Sequence, residues 1–425
     1  MGERKNMKDF EIVDKILVKY TGKRGIVEIP EGVKIIGEYA FCGSSITSVK
    51  IPNSVKGIDS RAFYNCCDLT SITIPDSVKK IGTQAFYCCS KLTSITIPDS
   101  VESIERSAFE GCIGLKQITI GDGVTSIGNS AFYQCIHLTS VTIGSGVTSI
   151  RNSAFEGCYD LNSVHYTGDV AGWCGIKFGS SDANPLCYAY DLYLNGTLLT
   201  ELVIPDTVTE INDYAFYGCS SLTSATIPSS VKSIGAWTFC RSKLASITIN
   251  NGVESIGRGA FCHCTELTSI AIPKSVTWIG DTTFYHCAKL TSVAIPDGIT
   301  SIGQSAFELC SELISKKANY KAFCVTEGKM LMCRDTMYIV GEKSEIEGNL
   351  KLCNNGIHYC TNLFDIFNYY SGGYGSDFVI GGCEVSDENI GGRDDSKRRA
   401  RWIIPTKILT RKEVIKLLNN NNNNK

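Results

Sequence analysis

The strongest constraint on the fold of this chain is a pattern that returns along the sequence with a fixed period of 23. Each copy carries an Ala-Phe or Thr-Phe pair, and between successive pairs runs a phrase such as Leu69–Gly82. The eleven phenylalanines that mark the copies are Phe41, Phe63, Phe86, Phe109, Phe132, Phe155, Phe216, Phe239, Phe261, Phe284 and Phe307. A fixed period of this length predicts a solenoid, in which each copy forms one coil that stacks on the next.

The phrase Leu69–Gly82 shows how one coil is built. Ile72 and Ile74 alternate with a polar residue, which is the period of a strand with one buried face. Pro75 ends that strand because it has no N–H to give to a further rung. Gly82 is then predicted to form the corner that leads into the next Ala-Phe pair.

Composition limits the partners that such a chain is expected to have. It has 425 residues, a formal net charge of −2 and 43% apolar residues, which give no field strong enough to indicate a nucleic-acid partner. Without an apolar run of about 20 residues, no membrane partner is expected. Because Met1–Lys8 leads into no signal-peptide core, we expect a cytoplasmic monomer, with export by an unrecognised signal left open.

The chain has 21 cysteines. Their placement indicates a repeated structural position and not disulfide pairs. Nine of them sit three residues after a repeat phenylalanine: Cys66, Cys89, Cys112, Cys135, Cys158, Cys219, Cys264, Cys287 and Cys310. We expect a column of small buried side chains with free thiols in a reducing compartment. Stacked coils lie about 4.8 Å apart, so distance alone does not forbid bridging.

The repeated sequence is similar to that of a known family. The pattern Ile-Pro-x-x-Val-x-x-Ile-Gly-x-x-Ala-Phe-x-x-Cys resembles the BspA-like, Treponema-type branch of the leucine-rich repeat superfamily, over roughly residues 25–312. The resemblance implies a β-rich, curved, right-handed solenoid of about eleven 22–23-residue coils, with a parallel sheet on its concave side. It also implies adhesive or protein-binding roles, often at a cell surface.

Departures from the period set the expected domain boundaries. Residues 1–24 are predicted to form an N-terminal cap, residues 25–312 the solenoid, residues 313–418 a small α+β domain and residues 419–425 a disordered Asn-rich tail. Residues 166–198 interrupt the solenoid with a non-repeat insert that holds Trp173 and an Asn195-Gly196 hairpin signal. Two readings of the insert stay open: a recognition element, or a packed excursion over a sheet edge.

Candidate binding residues come from the polar positions of the predicted strands and from the insert. Their side chains should lie on one hydroxyl-rich surface, able to hold a protein or glycan partner through many weak hydrogen bonds; the alternative is a solvated ladder, because threonine suits exposed strand positions. The candidates are Ser71, Thr73, Ser94, Thr96, Gln117, Thr119, Ser140, Thr142, His165 and Trp173.

Two sets of residues are weighed as metal ligands, although no cofactor is expected. In the C-terminal region, Cys353, His358 and Cys360 follow Cys-x4-His-x-Cys, which makes zinc possible but matches no standard zinc knuckle. In the solenoid, His263 and His286 occupy equivalent positions one coil apart. The alternative in each case is structural: a small buried core for the first set, and an ordinary surface turn for the second.

The C-terminal region brings no established activity. It resembles a small uncharacterised domain of phage and bacterial proteins, and Gly356–Tyr370 bears a faint likeness to ADP-ribosyltransferases. A Cys-His nucleophile pair would need a third group to orient the base, and the sequence identifies none. We therefore expect a non-enzymatic scaffold for protein binding. The alternatives are a solenoid that targets a C-terminal effector, either ADP-ribosyltransferase-like or zinc-binding, and a surface adhesin.

Overall fold

The structure, a computed structural model, describes part of the chain. The described residues are 4–7, 9–22, 24–296, 298–310 and 312–313, together with eight strands between residues 320 and 409. They divide into two compact units, Met1–Thr223 and Ser224–Lys425.

A three-stranded antiparallel meander precedes the first coil. Its strands are β1 (Arg4–Met7), β2 (Phe10–Val13) and β3 (Ile16–Tyr20). β3 also pairs in parallel with the first short strand of the solenoid, Ile35–Ile36. The meander thus covers the edge of the first coil, whose core would otherwise meet water.

Each coil of the first unit contributes one longer and one shorter strand. The longer strands form two parallel ladders: Arg24–Glu28, Ser45–Lys50 and Ser71–Thr73, and then Ser94–Ile97, Gln117–Ile120, Ser140–Ile143, Ser163–Tyr166 and Leu192–Leu194. Thr197–Leu198 adds an antiparallel edge to the second ladder, and Glu201–Val203 follows. The shorter strands are Ile35–Ile36, Gly57–Ile58, Lys80–Ile81, Ser103–Ile104, Ser126–Ile127, Ser149–Ile150, Lys177–Phe178 and Glu210–Ile211.

The second unit repeats this plan. Its longer strands pair in parallel as Ser224–Ile227 with Ser246–Ile249, and Ser269–Ala271 with Ser292–Ala294. Its shorter strands are Ser233–Ile234, Ser255–Ile256, Trp278–Ile279 and Ser301–Ile302. The solenoid predicted from the period is therefore confirmed as a parallel-sheet β-solenoid.

Residues that lie opposite one another on neighbouring strands are one repeat period apart in the sequence. Ile95 pairs with Ile118, and Thr96 pairs with Thr119, so each residue meets its counterpart one full period later. Side chains at equivalent positions of the repeat therefore stack on one another from coil to coil. The same stacking places the repeat phenylalanines in a buried column, where the rings of Phe86 and Phe109 are parallel with centroids 5.1 Å apart.

A third ladder runs beside the phenylalanine column, and it depends on left-handed residues. The N–H of Ser107 donates to the carbonyl of Asn129 on the next coil (2.9 Å), and the N–H of Phe109 donates to that of Ala131 (2.8 Å). Ser107 reaches this geometry with a φ of 55°, although non-glycine residues rarely adopt that region. Other residues in the same position and conformation are Tyr39, Arg61, Gln84, Ser130, Ser153, Tyr214, Trp237, Gly259, Thr282 and Ser305.

The corner glycine is required by the approach of neighbouring coils. A Cβ on Gly82 would lie 2.5 Å from the backbone nitrogen of Ser60, and a Cβ on Gly128 would lie 2.6 Å from that of Arg106. Neither glycine has a positive φ, so close packing and not conformational freedom explains the residue.

Replacing Gly128 with alanine should destabilise the protein by about 1–3 kcal/mol, because two coils must separate to admit the methyl group. Gly57, in a short strand with nothing within 4 Å of an added Cβ, is the matched control. Gly57→Ala should be neutral or stabilise by up to about 1 kcal/mol. Denaturant unfolding of both variants measures the difference, and equal midpoints would contradict this explanation of the corner glycine.

The insert is built as a further turn of the solenoid and not as a bulge upon it. Phe178 pairs in parallel with Ile150, and Leu192 pairs in parallel with Val164, so the insert continues both kinds of ladder. Helix α1 (Val170–Gly175) precedes the strand Lys177–Phe178, and a 3₁₀ turn (Ser181–Ala183) and helix α2 (Leu186–Ala189) lie between that strand and Leu192–Leu194. The side chain of Asp169 caps α1 by accepting from the N–H of Gly172 at 2.8 Å.

The C-terminal strands form one antiparallel sheet. Six of them are ordered Thr336–Ile339, Met330–Cys333, Tyr320–Thr326, Phe378–Val385, Trp402–Leu409 and Ser344–Glu345. Ile357–Cys360 pairs with Tyr320–Thr326 and with Lys397–Ala400. Residues 410–418 of the predicted α+β domain and the predicted tail at 419–425 lie outside the described residues.

Candidate binding surface on the parallel sheet

The polar strand positions of the first unit share one outward surface, which we call the strand face. Alternation produces it: Ile95 and Ile97 turn inward and are buried, while Ser94 and Thr96 between them are exposed. Going from the first coil to the insert, its residues are Ser71, Thr73, Ser94, Thr96, Gln117, Thr119, Ser140, Thr142, Ser163, His165 and Tyr193. The first six are exposed and the rest are partly exposed.

Register fixes the spacing of these groups. Thr96, Thr119 and Thr142 face one another across successive parallel strands, so their side chains repeat about every 4.8 Å. At the start of the series, the Ser71 hydroxyl donates to the Ser48 hydroxyl at 3.3 Å. The face is therefore a regular file of small hydroxyl donors and acceptors on a rigid backbone.

The two ends of the file differ in chemistry. At the first end, Lys50 and Glu28 form an exposed ion pair of 3.3 Å beside an open groove of about 460 Å³ that Asp9 and Phe10 also line. At the other end, the rings of His165 and Tyr193 stack with centroids 4.7 Å apart. The strand face thus runs from a charged margin to an aromatic one.

Tyr193 was missed as a candidate, because it lies inside the insert. Its strand, Leu192–Leu194, pairs with Ser163–Tyr166 in register, which places Tyr193 directly beside His165. The signal was present in the sequence as a leucine-tyrosine-leucine alternation, with the tyrosine on the opposite side of the strand from the two leucines.

The prediction of Trp173 as a contact residue is wrong. Its side chain is fully buried, it packs against the rings of Tyr166 (5.3 Å) and Phe178 (5.7 Å), and its Nε1 donates to the carbonyl of Ala215 at 2.7 Å. Trp173 is therefore a core residue of the extra turn. Of the two interpretations of the insert, a packed segment agrees with the burial of Trp173, and a recognition element does not.

The predicted column of buried thiols is present, and its hydrogen bonds explain the residue type. The Cys112 Sγ donates to the carbonyl of Phe86 at 3.0 Å, and the Cys135 Sγ donates to that of Phe109 at 3.2 Å. Burial raises the pKa of the Cys158 thiol to about 12, so this cysteine stays protonated at neutral pH. These cysteines hold neighbouring coils together as small donors.

Of the two sets of candidate metal ligands, only the His263–His286 pair has side chains that the structure describes. His358 and Cys360 lie on the strand Ile357–Cys360, whose side chains are not described, and Cys353 lies outside the described residues. The rings of His263 and His286 do meet, with centroids 4.8 Å apart. Burial, together with the neighbouring His286 and Arg241, lowers the pKa of His263. Within the described residues, no group of three or more His, Cys, Asp or Glu side chains is placed to hold a metal.

The coils, their register and the recurring strand phrase define a leucine-rich repeat solenoid. Residues 19–99, 79–173 and 190–314 match the BspA type leucine rich repeat region, and residues 319–417 match a domain of unknown function, DUF7666. The chain belongs to the BspA-type leucine-rich repeat family. The family named from the sequence is thereby confirmed, as is a C-terminal domain of unknown function.

Three solved structures of leucine-rich proteins are similar to this chain. A leucine rich cell surface protein from Faecalibacterium prausnitzii is 32% identical over 74% of this chain and 94% of its own length, with a TM-score of 0.45. A leucine-rich repeat protein from Bacteroides ovatus is 30% identical over 74% and 91% respectively, with a TM-score of 0.43. The leucine-rich repeat protein of T. pallidum is 28% identical over 42% and 86%, with a TM-score of 0.37.

No curated protein matches the chain. In the described part of the molecule, neither helix has the length and apolar character that crossing a bilayer requires.

Proposed function

We propose that this chain is a non-enzymatic binding protein that holds a protein partner on the strand face. The observation that carries the proposal is the file of outward threonine hydroxyl groups at Thr96, Thr119 and Thr142 on in-register strands, at whose far end lies the His165–Tyr193 stack. Leucine-rich repeat proteins generally bind other proteins, and one relative is named a cell surface protein.

The rigidity of the strands supports this role. The strands Gln117–Ile120, Ser140–Ile143 and Ser163–Tyr166 are each paired with a neighbour on both sides, so a partner meets donors and acceptors that are already in place. Association then requires little ordering of the surface, which is a main unfavourable contribution to binding free energy. Small hydroxyl groups also leave the backbone accessible at close range, so an extended segment can lie along the file.

The end of the strand face at His165 and Tyr193 provides an aromatic group that can anchor a partner, which the hydroxyl groups do not. Hydroxyl groups in water contribute little net free energy to binding, whereas tyrosine is among the residues that dominate interfaces. The half-exposed ring of Tyr193, held by its stack on His165, is the group on this surface best suited to anchor a partner.

Charge and bulk placed on the strand face test the proposal. The double variant Thr96→Arg/Thr119→Arg should lower partner affinity at least tenfold, because two long cations would stand where the partner must approach. The matched control is Thr125→Arg/Thr148→Arg, two exposed threonines on another side of neighbouring coils. Partners are captured with the wild-type chain and compared between variants by quantitative mass spectrometry.

Two results have opposite meanings. Loss of the same captured protein from the strand-face variant, with its retention by the control and unchanged circular dichroism for both, supports the strand face as the binding surface. Equal capture by both variants would overturn the proposal. Loss from the control alone would move the binding surface to the other side of the coils.

A further inference from the structure

Two cysteines of the second unit occupy the same position on adjacent coils. Cys240 and Cys262 each follow a repeat phenylalanine directly, and the coil between them is one residue shorter than the usual period. Backbone hydrogen bonds fix their alignment: the N–H of Phe239 donates to the carbonyl of Ala260, and the N–H of Arg241 donates to that of Cys262, both at 2.8 Å.

Side chains in this position touch their counterparts on the next coil. In the first unit the position is held by Tyr64 and Tyr87, whose rings stack with centroids 4.8 Å apart. Cys240 and Cys262 are likewise counterparts on adjacent coils, aligned by the same backbone hydrogen bonds. Backbones of neighbouring coils lie about 4.8 Å apart, within the range of Cα separations that a disulfide spans.

This pair differs from the structural column of buried cysteines. Cys264 lies in that column, is fully buried and donates to the carbonyl of Phe239 at 3.1 Å. Cys262 and Cys240 are buried as well, with 4% and 2% exposure. The neighbouring Cys240 thiol and the positive charge of Arg241 lower the pKa of Cys262, whereas burial raises the pKa of Cys264 to about 12. A thiolate is the reactive form of cysteine.

We propose that Cys240 and Cys262 form a redox-active dithiol that reacts with low-molecular-weight disulfides and closes into a disulfide between two coils. In the first step the Cys262 thiolate attacks one sulfur of oxidised glutathione, which forms a mixed disulfide and releases one glutathione thiolate. The Cys240 thiol then loses its proton and attacks the Cys262 sulfur, which releases the second glutathione. Two protein thiols are oxidised, and one molecule of oxidised glutathione is reduced to two of glutathione.

Cys42 provides a control within the same chain. It also follows a repeat phenylalanine directly, on the other shortened coil, but the next coil has Tyr64 in that position and not a second cysteine. Cys42 is exposed, so it can accept glutathione, but it has no neighbour in that column to resolve the mixed disulfide.

The test treats the full-length folded protein with oxidised glutathione and maps the products by mass spectrometry without prior reduction. We expect a disulfide that joins the Cys240 and Cys262 peptides, and a glutathione adduct on Cys42. In Cys240→Ser the adduct should remain on Cys262, because the resolving thiol is gone. Circular dichroism checks that the serine variant folds; serine already stands two residues away, at Ser242, in the interior.

Three outcomes would overturn the inference. The first is a lasting glutathione adduct on Cys262 in the wild-type protein. The second is no reaction of either cysteine under conditions that modify Cys42. The third is an identical product at Cys262 with and without Cys240.

Discussion

Phe109→Ala should lower the free energy of unfolding by about 3–5 kcal/mol, the range expected for deleting a buried phenylalanine ring. Its ring is fully buried and stacks between two others, with centroids 5.1 Å from Phe86 and 5.4 Å from Phe132. Alanine removes both stacking contacts and leaves a cavity that the adjacent coils, fixed by three ladders, cannot close. Unfolding of the full chain in guanidinium chloride, followed by circular dichroism, measures the change.

Ile113→Ala is the control for this prediction. Ile113 belongs to the same coil but is 43% exposed, so its truncation should change stability by no more than about 0.5 kcal/mol. If both variants unfold at the same denaturant concentration, the phenylalanine column does not support the stacking of the coils.

The size of this effect follows from the one-dimensional character of the fold. Each coil contacts only its neighbours, and no coil buries enough apolar surface to be stable alone. A cavity at Phe109 therefore weakens both interfaces of its coil. The same change near an end of the column, where one interface is absent, should cost less.

The period predicted most of the coil, because stacking in register makes sequence spacing equal to spatial spacing. Ile95 and Ile118 are paired since both sit at the same phase of the repeat. The left-handed residues of the third ladder could not be predicted in this way. Apart from Gly259, Ser107 and its equivalents are not glycines, and nothing in their side chains indicates a positive φ. Their conformation is imposed by the hydrogen bonds to the next coil.

Strand-face residues were predicted where polar and apolar residues alternate within a regular repeat. They were missed in the insert, where the spacing departs from the repeat period. Thr96 and Thr119 lie on the strand face because apolar residues flank them at alternate positions. Tyr193 lies there too, but it follows His165, its neighbour across the strands, by more than one repeat period. A search at the fixed period of the repeat does not find such a pair.

The position of Trp173 could not be derived from its sequence surroundings. Its near neighbours combine Asp169 and Lys177 with apolar residues such as Ala171 and Ile176, so they do not decide between a buried and an exposed position. Its burial depends on Ala215, which lies 42 residues later and supplies the carbonyl that accepts its Nε1–H. Only the stacking of the following coil on α1 brings these two groups together.

Replacing Trp173 with alanine should destabilise the first unit by about 3–5 kcal/mol. The substitution empties the volume between Tyr166 and Phe178 and removes one of the two donors to the Ala215 carbonyl, the other being Asn184 Nδ2 at 3.2 Å. Trp173→Phe keeps most of the ring and loses the Nε1 donor, so it should fall between wild type and alanine, at about 1–3 kcal/mol. Denaturant midpoints of the full chain order the three proteins.

Stability and partner capture together separate a core role of Trp173 from a recognition role. A core residue requires that Trp173→Ala lower stability strongly, and that Trp173→Phe, once folded, capture the same partner as the wild type. Thr197→Ala, an exposed change in the same insert, should leave both measurements unchanged. A Trp173→Ala protein that unfolds like the wild type but no longer captures its partner would contradict the packed turn, and would return Trp173 to the binding surface.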